Sequence, residues 1–362
     1  EVYMDNLNDD FRRFLIFLSM FDNTYTKNQQ IIECMGDDFT LKHFNRLKLE
    51  EVVNEKLASN MKAWAKDEVI ENHLESLEDR DIKLITKFDS DFPSKLKVLP
   101  DCPMFLFCKG DLSLLNKKAL AIVGTRKPSP YGRVVTERIS RDVAGAGIVI
   151  VSGLAYGVDS IAHRKCLEVG GKTIAVLGSG FDRIYPSEHK GLADEIAKSG
   201  LLVSEYSPDK QATKFSFPTR NRIIAGISDG VLITEANIRS GTIHTKDYAL
   251  EYNRAIYAVP GNIDSQTSGL TNDIIKKGQA RCVTEPRDIL DDFDIEEGSK
   301  PKQYQLSMDE QAIVNLLQDG MKEIDYLTKN CGLTINNFNS NLTMLEIRGI
   351  ITRLPGGLVS LN

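Results

Sequence analysis

Phe11, Phe14, Leu15 and Leu18 recur at the i, i+3, i+4 and i+7 spacing of one helical face. Two further amphipathic stretches follow, around Leu41–Leu49 and Leu57–Leu77, so the chain from Asp9 to about Glu78 is expected to form a small helical domain. The pattern then changes. Ile82-Lys83-Leu84-Ile85-Thr86 is a short strand-like run, and the prolines of Asp91-Phe92-Pro93 and Pro100-Asp101-Cys102-Pro103 mark a connecting segment, because they forbid regular helix. From about 105 to 290, short apolar runs alternate with loops and helical stretches. The runs are Ala119–Val123, Ile148–Ser152, Thr173–Leu177, Leu201–Ser204, Gly230–Thr234 and Ile256–Val259. Strands that read continuously apolar are buried on both faces, which is the mark of a parallel sheet. The expected fold class is therefore α/β, with a Rossmann-like, doubly wound parallel-sheet core. Ligands of such sheets bind in the loops past the carboxyl ends of the strands.

The acidic stretch 291–301 ends in Gly298-Ser299-Lys300-Pro301, as solvated linkers do. Beyond it, Asp309–Asp319 and Lys322–Lys329 read as helices, Cys331-Gly332-Leu333 as a tight turn, and Thr334–Arg348 as a third helix closed by Gly349. Ile350–Leu354 and Leu358–Leu361 pair as a hairpin around Pro355-Gly356-Gly357. Three helices and a β-wing describe a winged-helix domain. The expected organisation is a helical domain at 1–80, the core at 81–292, an acidic linker at 293–302 and a winged helix at 303–362.

A chain of 362 residues suggests two to three domains, and 41% hydrophobic residues can build real cores. The six cysteines lie far apart, with no Cys-x-x-Cys pair and no His-x-x-x-His, so neither a metal site nor a disulfide framework is expected. Glu1–Asp5 has no basic character and no apolar run nears the roughly 18–20 residues of a membrane span, which points to a cytoplasmic protein.

A net charge of −6 argues against a nucleic-acid partner until its distribution is read. Residues 1–92 carry 20 Asp/Glu against 12 Lys/Arg, whereas residues 109–142 carry 8 Lys/Arg against 3 acids. That basic stretch is either a solvated helix surface or a binding face.

The strand-end loops decide which residues matter. After the first core strand, Gly124-Thr125-Arg126-Lys127-Pro128-Ser129 forms a strand-to-helix turn in which backbone N–H groups, a helix dipole and the Arg126 fork could hold phosphate; a merely tight turn is the competing reading. After the second, Gly153 and Gly157 permit close backbone approach, Asp159 or Ser160 is placed to cap a helix, and His163 reads as structural. After the third, Gly178-Ser179-Gly180 begins like a dinucleotide fingerprint, but Arg183 replaces its third glycine; Gly171-Lys172-Thr173 is similar to a P-loop but leads into a strand. Neither a dinucleotide nor a nucleoside triphosphate is implied, and no cofactor is expected. The fourth loop places Arg220-Asn221-Arg222 at a helix start beside Phe215 and Phe217, parts that a single-strand binder uses, although the phenylalanines read first as core. In the fifth, Ser240-Gly241-Thr242 offers donors at another helix N-terminus, while Glu235 lacks an acid or nucleophile partner and reads as a structural hydrogen-bonding group.

Together, Val123-Gly124-Thr125-Arg126, Ser152-Gly153-Leu154-Ala155-Tyr156-Gly157-Val158-Asp159, Tyr185-Pro186, Phe217-Pro218-Thr219-Arg220-Asn221-Arg222-Ile223-Ile224-Ala225-Gly226, Ser240-Gly241-Thr242 and Val259-Pro260-Gly261 resemble the DprA/Smf (DNA processing A) family over about 80–290. The resemblance implies a sterile-alpha-motif-like N-terminal domain, a core that dimerises, and a winged helix. It implies a non-enzymatic protein that binds and protects single-stranded DNA and loads the RecA recombinase during natural transformation. The implied DNA-contacting residues are Gly124, Thr125, Arg126, Lys127, Ser129, Gly153, Gly157, Lys190, Arg220, Asn221, Arg222, Ser240, Gly241 and Thr242. The sequence departs from the family pattern at His189, where Asn is usual, and at Ser240–Thr245, where Ile243-His244 replaces a commoner Leu-Ile; both changes place an imidazole near the expected pocket.

Two other readings compete. An enzyme or sensor acting on a nucleotide derivative would need a Pro-Gly-Gly-x-Gly-Thr setting, which Pro260-Gly261-Asn262 does not supply. A duplex-binding regulator would use the helix Thr334–Arg348, whose one base, Arg348, is poor provision for phosphates.

Overall fold

The computed structural model describes residues 2–21, 24–293, 306–348, 350–354 and 356–361. Its framework is a sheet of nine strands: β1 (Lys83–Thr86), β2 (Phe105–Gly110), β3 (Ala119–Val123), β4 (Val149–Ser152), β5 (Thr173–Leu177), β6 (Leu201–Ser204), β7 (Gly230–Ile233), β8 (Ala255–Ala258) and β9 (Arg281–Cys282). They lie in the order β1-β2-β6-β5-β4-β3-β7-β8-β9. The six apolar runs of the sequence are β3 to β8, each within a residue at either end. From β6 across to β9 the strands are parallel, and in β3 to β7 every residue is buried. β2 runs antiparallel to β6, and β1 antiparallel to β2, so the sheet is mixed at one side.

After β3 the chain builds outward through β4 and β5 to β6. It then returns to lay β7 and β8 on the other side of β3. The helices Pro130–Gly145, Val158–Glu168 and Lys190–Ser199 pack on one face, burying Ile139, Val143, Ala162 and Ile196. Ser216–Ile227, Thr242–Glu251 and Gly269–Lys276 pack on the other, burying Ile223, Ile227, Ala249 and Ile274. β3 and β7 therefore flank the topological switch point, where a crevice opens between diverging loops.

The expected boundary at residue 80 does not separate two cores. Helices Val2–Ser19, Tyr25–Met35, Leu41–Phe44, Glu55–Trp64 and Asp67–Glu78 bury Phe14, Phe17 and Phe44 in the same cluster as Phe105 and Phe107 of β2. Alternate residues of β2, Leu106 and Cys108, face the central core instead, as the two-residue period of a strand requires. The stretch Leu57–Leu77 is two helices broken at Ala65 and Lys66, and Leu41–Leu49 keeps only one helical turn before a 3₁₀ turn at Leu49–Glu51.

At the C-terminal side, helices Met308–Leu317, Ile324–Asn330 and Ile335–Ile347 stand beside β10 (Lys322–Glu323), β11 (Ile351–Leu354) and β12 (Leu358–Leu361), with strand order β10-β12-β11. Ile313, Leu327, Phe338, Leu342, Leu345 and Val359 form this winged helix's own core. β10 was not expected. Ser307 and Glu310 close a capping box on the first of these helices, and Arg348 donates to Glu310 at 2.9 Å, so the base of the third helix is turned inward. Most of the acidic linker, Gly349 and Pro355 lie outside the described residues; Gly356 and Gly357, with φ of 87° and 76°, make the wing turn. All six cysteines are free, and among the described residues no helix is long and apolar enough to cross a membrane.

Candidate nucleic-acid interface

At the switch point, Val123–Arg126 past β3 and Ser240–Thr245 past β7 face each other, and the start of helix Ser216–Ile227 closes the third side. The resulting cleft of about 540 Å³ is also lined by Ala155, Asp159, Lys214, Phe217, Pro218, Arg220 and Asn221. Eight expected residues thus converge on one space: Gly124, Thr125, Arg126, Arg220, Asn221, Ser240, Gly241 and Thr242.

The loop carrying Arg126 is fixed by its backbone. Thr125 N donates to Glu235 O at 2.6 Å, and Val158 N donates to Thr125 O at 3.2 Å. Gly157 has φ +76°, and a Cβ there would collide with the Thr125 carbonyl and the Arg126 backbone. Gly157 therefore acts by letting two loops touch. Arg126 itself is exposed, its guanidinium 5.6 Å from the Phe217 ring centroid, and that ring lies 5.3 Å from Tyr185. The guanidinium is held over the ring by a cation–π contact, and Arg126 lines both the cleft and the hollow beside it.

The helix dipole expected to assist at this turn is already used. Helix Pro130–Gly145 is capped by Ser129, whose Oγ accepts from Gly132 N at 3.0 Å, while the Glu235 carboxylate takes Ser129 N at 2.8 Å and Ser129 Oγ at 2.7 Å. Thr267 Oγ1 also donates to Glu235 at 3.0 Å. The protein's own carboxylate fills that anion seat, so Ser129 is an anchor for Glu235 and not a cleft residue. Helix Thr242–Glu251 has no side-chain cap at its N-cap Gly241, although Ile243 N and His244 N already donate to Ser240 O and Gly241 O. Ser240 Oγ is buried beside it with no hydrogen-bond partner. An anion in the cleft would satisfy both.

Arg220, one of those eight, and two other expected residues have other work. Arg220 is 5% exposed; Nη1 donates to Gly153 O at 2.7 Å and also to Val176 O, and Nε donates to Asn221 Oδ1 at 3.1 Å. Burial pulls its pKa down to about 10 against the attraction of Asp159. It forms the floor of the cleft, tying β4 to β5, and Gly153 is glycine because a Cβ would strike that guanidinium. Arg222 points away altogether. Its Nη2 donates to both oxygens of Glu205 at 2.6 Å, and its guanidinium lies over Tyr25, so it holds the N-terminal helices to the core. Lys190 is exposed beside Asp182 and Asp194, in a different depression. Lys127 lies next to the cleft, in a second hollow with Arg126, Arg133, Tyr156 and Gly157.

Four residues here were not among the expected contact residues. Phe215, read first as core, is 71% exposed with Lys214 Nζ 4.9 Å from its ring centroid. Lys214 and Phe217 line the cleft, and Tyr185 stands against the Phe217 ring. Of the imidazoles, His244 lines the cleft, whereas His189 is buried with Nδ1 2.8 Å from Leu154 O.

His163 is structural, with Nδ1 2.7 Å from Thr173 Oγ1. Burial lowers its pKa to about 3, with His189 and Arg220 adding to the shift. An unfolded histidine titrates near 6.5, so the unfolded chain takes this proton first. The resulting stability is complete above about pH 6.5 and declines as pH falls toward 3, by up to about 1.4 kcal/mol per pH unit. Urea midpoints measured across this range should fall less steeply for His163→Leu than for the parent protein.

Fold and site together define a class: a Rossmann-like protein with a basic, aromatic-rimmed cleft at its switch point and an appended winged helix. The family model for DNA recombination-mediator protein A matches residues 83–294, and that for the DprA winged helix domain matches 297–357. The chain belongs to the DNA recombination-mediator protein A family, and so to the DNA-processing proteins. Protein Smf of Escherichia coli is 36% identical over 304 residues, covering 81% of each chain. DNA processing protein DprA of Streptococcus pneumoniae is 43% identical over 206 residues, 57% of this chain and 72% of that one. The crystal structure of DprA from S. pneumoniae matches with TM-score 0.57 and 33% identity, covering 76% of this chain and 99% of that one. That of DNA processing protein A from Helicobacter pylori, described for its unique single-stranded DNA binding mode, matches with TM-score 0.54 and 34% identity over 59% of this chain and 95% of that one.

Proposed function

We propose that this protein binds single-stranded DNA in the switch-point cleft, as a recombination mediator, without catalysing a reaction on it. The carrying observation is the convergence on one open space of the Arg126 fork, the uncapped terminus of helix Thr242–Glu251 and the unpartnered Ser240 Oγ. These are donors for a phosphate oxygen. Phe217 and Tyr185 at the mouth give unpaired bases a surface for stacking, which a duplex keeps hidden. Glu235 has both oxygens engaged in holding Ser129 and Thr267, and the Asp159 carboxylate in the cleft accepts from Gly153 N and Ala155 N. Gly124, Thr125, Lys127, Asn221, Gly241 and Thr242 complete the proposed contact surface.

The same proposal extends to a cytoplasmic homodimer that protects the strand and delivers it to RecA, as in natural transformation. Family membership supports that extension, and RecA filament assembly on a coated strand with and without the protein tests it.

The binding itself is tested by titrating labelled single-stranded and duplex oligonucleotides at two salt concentrations. Single strands should bind more tightly. Their affinity should fall as salt rises, with a log–log slope of about −0.7 per phosphate neutralised, and change little with base sequence. Salt-independent binding, or preference for duplex, would contradict the proposal.

A further inference from the structure

A third hollow, distinct from the one beside Lys127, lies behind the wall of the cleft, between helix Tyr25–Met35 and the segment after β6. It holds about 400 Å³ and is lined by Phe21, Tyr25, Asn28, Phe105, Tyr206 and Phe215 among others, within the roughly 300–1,000 Å³ usual for small-ligand pockets. Five aromatic rings line it together with the Asn28 amide, the Glu205 carboxylate already held by Arg222, and hydroxyls such as Thr24 and Thr213. Asn28 is only 4% exposed and its Oδ1 has no hydrogen-bond partner, an expensive state for a buried acceptor unless a ligand supplies the donor. The wall between hollow and cleft is one short segment whose side chains leave in opposite directions: Lys214, Phe217 and Pro218 line the cleft, while Thr213, Phe215 and Ser216 line the hollow.

We infer that this hollow receives a nucleobase, stacked among the rings and offering an N–H to Asn28 Oδ1, from the strand that leaves the cleft over Phe215. Aromatic walls with one buried amide acceptor suit a base's π-face and its donor-bearing edge. Phosphates on either side of the flipped base would pass Lys214, which stands over the Phe215 ring at the wall. The inference rests on the cleft reading, since it takes the strand from there. A free mononucleotide carries the same chemistry, so the experiment separates the two sources.

The full chain is titrated with oligothymidylate long enough to overhang the cleft, with a single abasic position moved along it. One position beyond the cleft should cost roughly fivefold or more in affinity. That penalty should vanish in Asn28→Leu and in Phe215→Ala, the latter removing an exposed ring that the fold does not need. Trp64, the one tryptophan, lies 6.1 Å from the Phe21 ring and reports occupancy by its fluorescence. Quenching by the strand alone assigns the hollow to the DNA track; quenching by deoxyadenosine monophosphate as well assigns it to nucleotides generally, and both outcomes support a base site. An abasic scan with no sensitive position and an unchanged Trp64 signal would overturn it, as would a penalty undiminished in Phe215→Ala. If Arg126→Ala loses binding while the scan is flat, the hollow fails alone; if Arg126→Ala binds normally, the cleft reading fails first.

Discussion

Arg222→Ala should destabilise the fold by about 3–5 kcal/mol, because it leaves the Glu205 carboxylate buried without its counter-charge. The two side chains are 5% and 14% exposed, and both Glu205 oxygens accept from Arg222 Nη2. Burial works against the Arg222 charge, and Glu205 with Asp101 more than restores it. Urea unfolding reads the loss directly. The paired replacement Arg222→Met with Glu205→Leu should recover most of it, since removing both charges leaves no orphan. Any DNA-binding defect of the single variant should track its unfolded fraction; a well-folded Arg222→Ala that binds DNA poorly would place Arg222 back in the interface.

Arg126→Ala should do the opposite, sparing the fold and weakening DNA. The side chain is exposed and lies over the Phe217 ring, whereas its fork lines the cleft and is available for a charge-assisted contact worth about 1.5–3 kcal/mol, a roughly ten- to hundredfold loss in affinity. Arg126→Lys should recover only part of this, since an ammonium keeps the charge but neither the two-pronged geometry nor the flat stacking on Phe217. Affinity measured by anisotropy, beside an unchanged urea midpoint, checks both halves of the expectation.

The difference between these two arginines shows what was legible in the sequence. Continuous apolar runs mark β3 to β8 because a strand buried on both faces has no polar side to show. β2 escaped notice although Phe105-Leu106-Phe107-Cys108 is just such a run, because it follows a proline-rich approach and joins the sheet antiparallel, outside the regular alternation. The loops past β3 and β7 could be placed at the site from topology alone. Which way a polar side chain turns could not, because its partners come from other elements of the fold: Glu205 for Arg222, Val176 for Arg220, and Glu235 for Ser129, 106 residues away. Arg126 differs in having an aromatic face and, among the described residues, no carboxylate paired with it. Phe215 and Phe217 show the same limit, since hydrophobicity alone does not tell a core ring from a stacking ring.

A fragment such as 80–292 would be a poor probe of the cleft, for removing the helical segment uncovers Phe105 and Phe107. The most direct measurement uses the full chain: photo-crosslinking to a single-stranded oligonucleotide carrying 5-iododeoxyuridine, with the attached peptides sequenced by mass spectrometry. Crosslinks should fall on the cleft rim, at Phe217, Tyr185 and the segment 240–244, and should be lost in Arg126→Ala at matched concentration. Crosslinks confined to the winged helix, at 306–361, with none in the cleft, would contradict the assignment.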